Sequence, residues 1–137
     1  MYREPKFNDY GMFVNTTTSN ESKFTGDFIQ RLMVLQQNHK DVQWSRLMTS
    51  AIGMLAESGE FTEIMKKIFF QGKEMTEDNR FHMKRELGDV LWYWIQGCIA
   101  LGYSPEEVMQ ENINKLEKRY PNGFETIRSE VREEGDI

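Results

Sequence analysis

Two pairs of acidic residues stand where acids are costly. Between Arg46 and Glu60 the only charged residue is Glu57, set among Leu47, Met48, Ala51, Ile52, Met54 and Leu55, with Glu60 three residues on and Glu63 continuing the row. Between Glu86 and Glu106 the only charged residue is Asp89, again three residues from its partner, inside LGDVLWYWIQGCIALGYSP. An ionised carboxylate in apolar surroundings costs several kcal/mol unless it is paired or ligates a metal, and like charges at helical spacing repel. Glu57, Glu60, Glu86 and Asp89 together would offer oxygen ligands without thiol or imidazole, a set that suits Mg²⁺ or Mn²⁺ rather than Zn²⁺. The competing reading, two solvated or salt-bridged faces, suits either pair taken alone. Two such pairs on consecutive helices favour the metal. A di-iron carboxylate bundle would need Glu-x-x-His motifs, and neither His39 nor His82 lies three residues after a glutamate.

The elements that must position these acids are helices. The three prolines, Pro5, Pro105 and Pro121, leave the long interval between the first two free of helix breakers. Phe28, Leu32 and Leu35 predict a helix over residues 27–40. A longer stripe, Leu47, Ala51, Met54, Leu55, Phe61, Met65 and Ile68, predicts a second over 45–70, stopped at Gly72. Thr76 reads as an N-cap with Glu77 and Asp78 in the first turn, opening a third helix to Leu101 before Gly102. Ser104-Pro105-Glu106-Glu107 is a capping box with proline at the first helical position, opening a fourth to Arg119. Residues 1–22 show no sustained period and read as an irregular arm, NTTTSN being its most loop-like part. Residues 23–124 form the expected all-α domain. Residues 125–137 are an acidic tail that extends a short helix from Phe124 or frays.

The expected class is all-α, a four-helix bundle whose second and third helices pack antiparallel and bring the two pairs face to face. Stretches such as Trp92-Tyr93-Trp94-Ile95 are too apolar all round for a lone small monomer, so an oligomer is expected.

Composition narrows the partners. The chain has 137 residues with 17 Lys+Arg against 22 Asp+Glu, a net charge of -5, room for one domain and no footprint for a nucleic-acid polymer. A phosphate-bearing ligand must then be met by local cations or by metal. No apolar stretch reaches the roughly 20 residues that span a bilayer, the N-terminus lacks a secretory pattern, and the single cysteine, Cys98, fits a reducing compartment. The cytoplasm is the expected location.

The run MLAESGEFTEIMKKIFFQGK, a spacer, and RELGDVLWYWIQGCIALGYSPEEVMQENINKLEKRYPNGF together resemble the MazG-like nucleotide pyrophosphohydrolases of the all-α NTP pyrophosphatase superfamily. ExxE and ExxD are matched by Glu57, Glu60, Glu86 and Asp89, and the NxxKLxxRYPxGF ending adds to the likeness, which covers roughly residues 47–124. It implies Mg²⁺-dependent hydrolysis of a nucleoside triphosphate to monophosphate and pyrophosphate, with Mn²⁺ as a possible substitute. The four acids are then the metal ligands. Glu60 is our choice for activating water, though any of the four, or Glu63, could do so.

The resemblance also implies that Asn112, Lys115, Arg119 and Tyr120 hold the nucleotide, each set against the plainer role of a surface group. Tyr93, one turn beyond Asp89, is placed to touch the nucleotide or to fill the core. Lys73 reaches phosphate or lies on the surface, and Trp44 could stack on a base. Members assemble as dimers or tetramers, so a homodimer or homotetramer is implied. Two alternatives remain: a catalytically silent helical scaffold, against which the intact quartet argues, and a phosphoribosyl-ATP pyrophosphohydrolase, disfavoured by the NxxKLxxRYPxGF ending.

Overall fold

The structure, a computed structural model, describes residues 6–131. Its contacts divide the chain into one compact unit up to Lys40 and another from Asp41. The first unit holds α1 (Phe7–Thr17), α2 (Asn20–Lys23) and α3 (Thr25–Asn38); the second holds α4 (Trp44–Phe70), α5 (Glu77–Leu101), α6 (Pro105–Arg119) and α7 (Thr126–Glu130). The class is all-α. Among the described residues the only bridge of strand type is an isolated one between Pro121 and Gly123.

The four helices expected from periodicity are α3 to α6, and their ends follow the sequence signals. The Thr76 hydroxyl accepts the Asn79 N–H at 3.1 Å, capping α5. At α6 both halves of the capping box form: Ser104 Oγ accepts from Glu107 N, and Ser104 N donates to Glu107 Oε2 at 2.7 Å. Gly102, at φ +78°, closes α5 by donating its N–H to Ile99 O while Tyr103 N reaches Cys98 O, the paired bonds of a left-handed helix stop.

The N-terminal arm departs from expectation. Much of it is helical, and the loop-like threonines lie at the end of α1. Their hydroxyls explain why: Thr16 donates to Met12 O at 2.9 Å, Thr17 to Phe13 O at 2.9 Å and Thr18 to Val14 O at 2.6 Å. A residue type that usually competes with helix here bonds back along it, to carbonyls one turn earlier.

In the second unit, α4 and α5 form the expected antiparallel hairpin, the most extensive helix pair in the protein. Its closest approach is made by small residues. Ser50 is buried on α4 and donates from Oγ to the Tyr93 carbonyl at 2.7 Å. The Tyr93 ring covers Gly53 so tightly that a Cβ there would lie 2.1 Å from Cδ1, and a Cβ on Gly97 would lie 2.6 Å from Ser50 Oγ. Cys98 and Ala100, both buried, continue this seam towards the end of α5. The seam fixes how far along one another the two helices lie, and so fixes the register of the acids they carry.

Candidate active site

Glu57 and Glu60 project from α4 and Glu86 from α5, and each offers a carboxylate oxygen within 4.8 Å of the others. The i, i+3 spacing holds the first two on one face of α4, while the hairpin supplies the third. Asp89 lies near enough for its charge to act on Glu57, although the close group is made by the other three. Glu57 and Glu86 are half-buried; Glu60 and Asp89 are exposed. The sequence reading set Glu57 and Asp89 where water is scarce; Glu57 is partly buried as expected, and the structure corrects the reading for Asp89. The apolar residues around them are themselves open, Leu55 at 76%, Leu87 at 57% and Leu91 at 56% exposure, and exclude little water.

The acids disturb one another. The Glu57 carboxyl is pushed above the usual carboxylate range, first by desolvation and then by the charges of Glu60, Asp89 and Glu86, with a hydrogen bond to Glu86 adding to the effect. Glu63, by contrast, is held below that range by its bonds and ion pairs with Lys66 and Lys67. Glu63 is therefore occupied, and the row of acids on α4 divides into a repelling group and a neutralised neighbour. Three mutually repelling oxygen donors within 4.8 Å fit a hard divalent cation, which would offset their charge.

Stability should report this strain. A raised carboxyl pKa means the folded state holds a proton that the unfolded chain releases, so stability falls as pH rises from the ordinary carboxylate pKa through the raised one. Without metal, the melting temperature is expected to rise as pH is lowered from neutral through that window. At neutral pH, Mg²⁺ at about 100 times its Kd should add about 2.7 kcal/mol, several degrees of melting temperature, by mass action. Scanning fluorimetry across pH and Mg²⁺ checks both, and an unchanged melting temperature at millimolar Mg²⁺ would remove the case for a metal site.

The remaining expected residues fall into separate places. Asn112 and Lys115 line a cavity beside α6, together with Trp94, Tyr103 and Glu111. Tyr93 packs its ring on Gly53 and meets Trp92 edge-on at 4.9 Å between centroids. Arg119 and Tyr120 sit at the end of α6, the guanidinium 6.0 Å from the Tyr120 ring centre and that ring 5.4 Å from Phe124. Lys73 is exposed after the α4 stop at Gly72, where φ is +67°, its backbone N–H donating to Lys67 O. Trp44 opens α4 and is half-buried. Sequence reasoning passed over Tyr103 and Glu111 and read Trp94 only as apolar surplus. Glu111 and Lys115, one turn apart on α6, were the available signal.

Residues 47–124 match the family model of the MazG nucleotide pyrophosphohydrolase domain. Among curated proteins the chain is similar to the Gene 37 protein of Mycobacterium phage L5, at 38% identity over 74 residues, 53% of this chain and 64% of that protein. The match thus spans less than two thirds of that relative. No solved structure matches the chain significantly.

Proposed function

Because that match covers more than half of its length, the chain belongs to the MazG nucleotide pyrophosphohydrolase family, and we propose that it hydrolyses (deoxy)nucleoside triphosphates to the monophosphate and pyrophosphate. The observation that carries the reading is the group of Glu57, Glu60 and Glu86 within 4.8 Å, built across the α4–α5 hairpin inside the matched region. Glu57, Glu60, Glu86 and Asp89 would hold Mg²⁺, with Mn²⁺ as a substitute. Bound there, the ion would supply charge neutralisation at the phosphates and a lowered pKa for water.

The chain's own groups then have distinct tasks. Glu60 is exposed, whereas Glu57 and Glu86 bond to one another, so of the three close acids Glu60 is the carboxylate open to a water molecule from solvent. It takes the proton as the water oxygen bonds to the α-phosphorus and the bond to the α,β-bridging oxygen breaks, releasing pyrophosphate. Asn112, Lys115, Arg119 and Tyr120 on or after α6 hold the nucleotide, with Lys73 reaching phosphate from the α4–α5 connection and Tyr93 fixing the hairpin behind the acids.

The same reading makes the protein a cytoplasmic enzyme of nucleotide-pool control that works as a homodimer or homotetramer on free nucleotides and not on nucleic-acid polymers. The exposed Leu55, Leu87 and Leu91 beside the acids support self-association. Among the described residues no helix is long and apolar enough to cross a membrane.

A pyrophosphate-release assay across the common and deoxy nucleoside triphosphates tests the reaction. Pyrophosphate is expected in equal amount to monophosphate, lost with chelator and restored by Mg²⁺. Release of orthophosphate alone, or no release from any nucleotide, would sink it.

A further inference from the structure

The cavity beside α6 has a volume of about 830 Å³, within the size range of small-ligand sites. Hydrolysis needs carboxylates and groups that hold phosphate; it gives no task to Trp94, Tyr103 or Glu111, which line this cavity with Asn112 and Lys115. The chain turns at Gly102, where φ is +78°, and the cavity is lined by Trp94 on α5, Tyr103 between the two helices, and Glu111, Asn112 and Lys115 on α6. Lys115 stands one helical turn beyond Glu111, so one lining holds a cation, a carboxylate and two aromatics. These are groups that suit the phosphates and the base of a nucleotide.

The carboxylates in the lining are not equivalent. Glu107 is committed to the capping box, its Oε2 accepting Ser104 N at 2.7 Å. Glu111 has no such tie, and among the described residues neither it nor Lys115 enters an ion pair. An ionised carboxylate only accepts hydrogen bonds, and its two oxygens match two parallel N–H donors. Guanine alone among the common bases presents such a pair, N1–H beside the 2-amino group. Adenine and cytosine set an amino group next to an acceptor nitrogen. In uracil and thymine a single N–H stands between two carbonyls that a carboxylate repels.

We infer that this cavity takes the base of the nucleotide, that Trp94 and Tyr103 lie against its faces, and that Glu111 selects guanine. The inference rests on the nucleotide reading above and adds a base preference to it. Stacking on aromatics accepts any base, so discrimination falls to the carboxylate.

The test compares dGTP with dITP, which differ only in the 2-amino group, in hydrolysis and in calorimetric binding of their non-hydrolysable α,β-imido analogues with Mg²⁺. dGTP is expected to exceed dITP by about tenfold or more in both, the loss of one hydrogen bond to a charged acceptor. Glu111→Ala, at an exposed position, should bring the ratio close to one. Tyr103→Ala should weaken both analogues alike. Equal use of the two nucleotides by the unaltered protein, or a ratio that survives Glu111→Ala, overturns the guanine site while hydrolysis stands. A guanine preference in binding without hydrolysis of any nucleotide keeps the base site and overturns the enzymatic reading. Neither binding nor hydrolysis overturns both.

Discussion

Replacing Glu60 with glutamine is expected to lower kcat for pyrophosphate release by about a thousandfold, within the range general-base removal produces. Glutamine keeps the size and one oxygen, but has no charge to offer a metal and accepts no proton from water. The loss should therefore persist at saturating Mg²⁺ and saturating nucleotide. Asp89→Asn is expected to behave differently, because Asp89 would be a fourth ligand outside the three oxygens that lie within 4.8 Å of one another. Its removal should raise the Mg²⁺ concentration for half-maximal activity by about tenfold and leave kcat at saturating metal within about threefold. A Mg²⁺ titration of both variants separates the two roles. Full rescue of Glu60→Gln by excess metal would reduce Glu60 to a ligand and move the base to another acid; activity that survives both substitutions would remove the acids from catalysis.

Why the acids were legible and the cavity was not is a matter of range. Glu57 and Glu60 share a face through the 3.6-residue period, as do Glu86 and Asp89, and that period is written in the sequence around each. The stops and caps, Gly72, Thr76, Gly102 and Ser104 with Glu107, are local chemistry too, so α4 to α6 begin and end close to where their residues say. The threonines of α1 defeated the same reasoning because a hydroxyl that bonds four residues back serves a helix as well as a turn. The cavity depends on how α6 leaves α5, an angle set at Gly102 and by packing, and no spacing within either helix encodes it. Burial failed for a related reason: the apolar run around Asp89 was read as keeping water away, yet Leu87 and Leu91 are themselves exposed, and a residue's hydrophobicity does not say whether anything covers it.

Gly53→Ala tests the seam on which the acidic register depends. In an isolated helix the change would help, since alanine is favoured over glycine by about 1 kcal/mol. Here the new Cβ would lie 2.1, 2.2 and 2.5 Å from Cδ1, Cε1 and Cγ of Tyr93, a ring that cannot swing aside as the end of a flexible chain can. The Tyr93 backbone is also tied, its carbonyl accepting from the buried Ser50 at 2.7 Å. Relief must come from moving α5 away from α4, at the cost of overpacking, about 3 kcal/mol or more when a ring and backbone resist. The net expectation is a loss of about 2 kcal/mol, a fall of roughly 5–10 °C in melting temperature. Gly88→Ala is the control: it lies between Glu86 and Asp89 on the same hairpin, nothing stands within 4 Å of its Cβ position, and it should gain up to about 1 kcal/mol. Displacing α5 also moves Glu86 relative to Glu57 and Glu60, so Gly53→Ala should lose part of the Mg²⁺-dependent stabilisation as well as intrinsic stability. A variant that melts at the unaltered temperature with its Mg²⁺ response intact would show that Tyr93 gives way freely, and that some other contact sets the register of the carboxylates.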